Sequence, residues 1–133
     1  MELPRPKDPI ADLLAADARY HRDAYLFLKD GLEYTQRTLK REAGTRARHI
    51  NGQELLEGLR EYALKEYGPM ALTVLAEWGI HRSEDFGEIV FNMVEHGILA
   101  KTETDSREDF RGGYDFEQAF RAPFRPSGRP THP

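Results

Sequence analysis

Residues 50–55 (INGQEL) carry a complete helix-start signal, which fixes the middle of any fold this chain adopts. Asn51 can accept a hydrogen bond from a first-turn backbone N–H, and Glu54, three residues on, can reach back to the Asn51 amide. Ile50 and Leu55 occupy the two positions of a hydrophobic staple. Leu55, Leu56, Leu59, Tyr62, Ala63 and Tyr67 then predict the buried side of the helix, and Gly68 followed by Pro69 supplies a left-handed stop and a new first turn.

The same grammar places the other helices. Asp8 before Pro9 is a start, with Ile10, Leu13 and Leu14 as a short apolar face. Over 23–42, Tyr25, Leu28, Leu32, Thr35 and Leu39 recur at helical spacing, and residues 44–48 interrupt that helix as a basic loop. Met70, Val74, Leu75 and Trp78 are expected to face inward on a helix that Gly79 ends. Ser83 is expected to cap the next one, in which Phe86, Ile89, Val90, Met93 and Val94 form the apolar stripe before Gly97.

Beyond Gly97, Ile98 and Leu99 read as a short strand, 102–113 as a charged turn-rich stretch, and Tyr114 and Phe116 as returning aromatic strand residues, so a β-hairpin is expected. Residues 117–120 add a helical turn. Helix, turn, helix and hairpin over 69–120 follow the order of a winged helix. The fold class expected is therefore mainly α (α+β): a helical N-terminal region packed on a winged-helix-like C-terminal half with a short β-hairpin. It makes one domain over 9–122, between a flexible N-terminus at 1–8 and a disordered tail at 123–133 that holds four prolines.

Charge argues against duplex DNA as the ligand of that second helix. Between Ser83 and Gly97 stand Glu84, Asp85, Glu88 and Glu95 without a lysine or arginine, so the helix would repel a polyanion. Residues 70–124 hold 5 basic against 11 acidic side chains, whereas 1–69 hold 12 of each, so the acidity belongs to the C-terminal half. Inside the neutral half, Arg37, Lys40, Arg41, Arg46 and Arg48, with His49 adjacent, stand against Glu42 alone. Such a cluster suits a phosphate or an acidic partner, and equally a solvated helix end. RNA could use it with Tyr34 as a stacking surface, although Tyr25, Phe27 and Tyr34 also fit a core by their spacing. Glu103, Asp105, Glu108 and Asp109 form the opposite, acidic patch. They lack calcium-loop spacing and have Arg107 and Arg111 to pair with.

Chemistry leaves fewer marks. There is no cysteine, which excludes disulfides, thiolate nucleophiles and sulfur-ligated zinc. The five histidines are scattered, and no nucleotide-binding, zincin or serine-nucleophile motif occurs, so no catalytic residue, metal site or cofactor is assigned. No run approaches the roughly 18 apolar residues of a membrane span.

Residues 8–28, 52–80, 84–99 and 104–120 together resemble a small family of free-standing proteins from planctomycetes and verrucomicrobia, named only after a locus tag and without an assigned activity. The resemblance implies a free-standing bacterial protein and carries over no functional residue. The function expected is a non-enzymatic protein-interaction module of the bacterial cytoplasm, using the basic and acidic patches toward a protein partner or a second copy of itself. The alternatives are a transcription- or translation-associated regulator that holds nucleic acid on 37–49, and a small enzyme of unrecognised chemistry.

Overall fold

The computed structural model describes residues 9–43, 50–99 and 107–125, with the backbone alone for 9 and 41–43. Five α-helices are described: α1 (Pro9–Ala16), α2 (Arg22–Ala43), α3 (Gly52–Tyr67), α4 (Ala71–Glu77) and α5 (Ser83–Glu95). The start of α3 is built as its residues dictate: the Asn51 side chain accepts from the Glu54 amide at 2.9 Å, and Glu54 accepts from the Asn51 amide at 3.1 Å. At its end Gly68 takes φ +51°, a value that side-chain-bearing residues avoid, and Pro69 opens a short 3₁₀ turn into α4.

Helices α2 and α3 pack closely against each other, and small residues make the closeness possible. A methyl group on Gly58 would fall on the hydroxyl of Thr35, and one on Gly31 would fall on Leu59. Thr35 is buried there, with its hydroxyl donating to the Gly31 carbonyl at 2.7 Å. Helix α5 closes the core from the other side. Phe86 stacks on Phe27 of α2 with centroids 6.3 Å apart and meets Phe116 of the C-terminal segment at 5.7 Å.

No β-strand occurs among the described residues, and this corrects the expected β-hairpin and the winged-helix-like half that needed it. Ile98 and Leu99 cannot serve a ladder because both of their amides donate to the Met93 carbonyl, at 2.8 and 3.3 Å, in the turn that ends α5. Beyond residues 100–106 the chain returns as a 3₁₀ turn, Arg107–Phe110, then as a π-helical turn, Glu117–Arg121, and a final 3₁₀ turn, Ala122–Phe124. Phe116 and Phe120, four apart on this helical path, meet edge to face at 5.0 Å. Tyr114 reaches across instead and donates to the Leu56 carbonyl at 2.8 Å.

Two further expectations are corrected. Met70 is 56% exposed, because the 3₁₀ turn resets the helical phase so that Ala71 and Leu75 face inward. Ser83 does not cap α5. Arg82 holds the cap position, and Asp85, third in the helix, reaches back to accept from the amides of His81 and Arg82 at 2.8 and 3.2 Å. The buried Ser83 hydroxyl instead donates to the Phe110 carbonyl at 2.8 Å and accepts from the Gly113 amide at 3.0 Å, tying the C-terminal segment to α5. Replacing Ser83 with Ala leaves both backbone groups without this partner, so Ser83→Ala is expected to lose about 2 kcal/mol in urea unfolding, whereas loss of a simple exposed cap costs nearer 1 kcal/mol.

Candidate functional site

Three apolar helix faces diverge where α2, α3 and α5 approach the 3₁₀ turn at Arg107–Phe110, leaving an open groove of about 310 Å³. Helix α2 contributes Leu32, with Gln36 at the edge, and the start of α3 contributes Ile50 and Leu55. The opposite wall is Val90, Phe91 and Val94 of α5, continued by Ile98 and Leu99 and closed by Phe110. These side chains are apolar for the same reason as the rest of each stripe. Leu32, Ile50, Val90, Val94, Ile98 and Leu99 stay partly exposed, whereas Leu55, Phe91 and Phe110 are buried.

A polar network lies on another face of α5 and holds the loop between α1 and α2. Asp17 accepts from Arg19 at 2.7 Å and from the Asn92 amide at 3.1 Å, and that same Asn92 nitrogen lies 3.2 Å from the buried Tyr25 hydroxyl. Arg19 continues to Glu88 at 3.2 Å, and Arg107 binds Glu88 at 3.0 Å and Glu95 at 3.5 Å while stacking over Phe91. Tyr20 donates to Asp85 at 2.7 Å. The acids of α5 that would repel DNA are thus largely spent inside the molecule.

Several titratable groups with displaced acidity serve a structural partner. The Arg19 guanidinium holds the Asp17 carboxyl well below the usual carboxylate range. Burial, with the bond to Asp85, pushes the Tyr20 hydroxyl up, and burial does the same for Tyr25 and Tyr114. None of these groups lines the groove. Because the Asp17 carboxyl ionises more readily folded than unfolded, its stabilisation is complete above the unfolded value near pH 4 and is lost as pH falls below it. Urea midpoints measured from about pH 6 down to about pH 3 should therefore fall more steeply for the parent protein than for Asp17→Asn.

The residues singled out by charge are distributed unevenly. Arg46, Arg48, His49, Glu103 and Asp105, and the side chain of Arg41, lie outside the described residues. Arg37 and Lys40 are exposed on the last turns of α2. Glu108 pairs with Arg111 at 3.3 Å, and Asp109 lines the groove, its carbonyl accepting from Gln53 at 2.7 Å. The Tyr34 ring is half-buried beside Tyr62 at 5.4 Å with the Lys65 ammonium 5.3 Å from its centre, while Tyr25 and Phe27 belong to the core. Among the described residues no group of three histidine or carboxylate side chains could hold a metal ion, and no helix is long and apolar enough to cross a membrane.

Sequence reasoning assigned Leu32, Leu55, Val90 and Val94 to the core, where Leu55 is buried and Leu32 and Val90 pack against it, and missed that the four line one groove. The only local signal is the apolar pair Ile98 and Leu99 just past the Gly97 stop. No family model, curated protein or solved structure matches the chain.

Proposed function

We propose that this protein is a non-enzymatic interaction module, expected in the bacterial cytoplasm, that receives apolar side chains of a protein partner in the groove between α2, α3 and α5. One observation carries the reading: an open, aliphatic and aromatic concavity sits on a surface whose neighbouring charges are largely paired with one another. Its volume of about 310 Å³ suits one or two side chains. Ligand sites generally start near 300 Å³, and hot spots in protein interfaces are built from such desolvated anchor pockets. The titratable groups with displaced acidity stand away from the groove.

The neutral dye N-phenyl-1-naphthylamine reports an open apolar site by its fluorescence. It should bind the folded protein saturably, and Val94→Arg, which places a guanidinium in the groove wall, should weaken binding at least about tenfold. Unchanged binding in Val94→Arg rejects this groove as the site.

A further inference from the structure

We infer that Asn51 is a site of covalent modification guarded by the capping box of α3. While the box is closed the side-chain amide persists; when it opens, the Gly52 nitrogen attacks that amide and ammonia is released. Two packing demands create the reactive pair. The helix start needs a side-chain acceptor, which Asn51 supplies to the Glu54 amide at 2.9 Å. The next position has no room for a side chain, because a methyl group on Gly52 would lie 2.5 Å from the Asp109 Cβ. An asparagine therefore precedes a glycine, the neighbour that hinders such an attack least. The second asparagine of the chain, Asn92, precedes Met93 and is buried, its amide bonded to Asp17 and Tyr25.

Water is the only co-reactant the chemistry requires. The Gly52 nitrogen loses its proton to solvent and bonds to Asn51 Cγ; the bond from Cγ to the amide nitrogen breaks, ammonia leaves, and a five-membered imide remains. Water then opens the ring at either carbonyl. Opening at Cγ gives aspartate, which can still cap a helix. Opening at the main-chain carbonyl gives isoaspartate, whose chain runs on through Cγ. The folded geometry holds the first step back. Ring closure requires the Gly52 nitrogen to eclipse Asn51 Cβ, and ψ of 170° at Asn51 leaves it staggered. Rotation into line displaces the first turn of α3 and the paired bonds between Asn51 and Glu54. Asn51 is exposed, so water meets it once the box opens. Asn51 and Gly52 both line the groove, so the carboxylate gained stands in its wall.

The test holds the parent protein at mildly alkaline pH, folded or unfolded in guanidinium chloride, and follows the peptide 49–60 by mass spectrometry. Amide loss at Asn51 should be at least about tenfold slower in the folded protein, with Asn92 intact. Aspartyl and isoaspartyl peptides should separate by chromatography. Glu54→Ala removes one bond of the box and should speed loss from the folded protein about fivefold, whereas Glu54→Gln can still close the box and should keep the parent rate. Equal loss from folded and unfolded parent overturns the guard, a comparison that needs no variant to fold. An Asn51 that stays intact in guanidinium overturns the site, and an aspartyl product alone overturns the imide route. A Glu54→Ala protein with the parent's circular dichroism and no faster loss overturns the capping box as the guard.

Discussion

Phe86→Ala should lower the unfolding free energy by about 4 kcal/mol, a large fraction of what a domain of this size possesses. Phe86 is fully buried at the only point where the α2 aromatics and the C-terminal aromatics among the described residues meet through one ring: Phe27 on one side, Phe116 on the other. Truncation removes its transfer free energy and leaves a cavity walled by two rings that are themselves held, Phe27 against Tyr62 and Trp78, and Phe116 against Tyr114 and Phe120. Those walls have little freedom to collapse into the space. Phe86→Leu fills most of it and should cost less than half as much. Urea unfolding followed by circular dichroism measures both, and a loss under about 1.5 kcal/mol for Phe86→Ala would mean that the C-terminal segment is not seated on α5 as described.

The second large effect reverses an ordinary sign. Replacing a helical glycine with a larger residue commonly stabilises by reducing unfolded-state freedom. Gly58 lies mid-helix in α3, yet its missing Cβ is the space that the Thr35 side chain occupies. Gly58→Val should therefore destabilise by about 3 kcal/mol, because either Thr35 leaves its rotamer and its bond to Gly31, or the two helices separate. Thr35→Ala in the same protein should return part of that loss, a coupling expected only of residues in contact. Strict additivity of the two substitutions would show that α2 and α3 do not cross at Gly58 and Thr35.

How much of this was legible follows from the range of each interaction. The start of α3 lies wholly within six residues, and the bonds between Asn51 and Glu54 form where the letters place them. Helix α2 is long enough for its stripe to be unambiguous. The hairpin was misread because Tyr114 and Phe116 alternate at a spacing of two while Phe116 and Phe120 recur at four, and packing on Phe86 favours the second pattern. Ser83 was misread because its partner, Phe110, lies 27 residues away and leaves no local mark. Asp17 and Asn92, 75 residues apart, are invisible for the same reason.

The groove is the hardest case. Leu32, Leu55, Val90 and Val94 obey the periodicity of core residues, and only the divergence of three helices makes that corner accessible. Charge was more informative about what flanks it than about where it is. Of the acidic stretch, Asp109 lines the groove itself.

The central claim is that this corner of the molecule is a binding surface. Amide chemical shifts recorded while the naphthylamine dye is titrated into the parent protein address it without any substitution. Saturable changes should concentrate at residues 32–36, 50–55 and 90–99, the walls of the groove. Changes centred on another face, or none at concentrations that saturate the fluorescence, would contradict it.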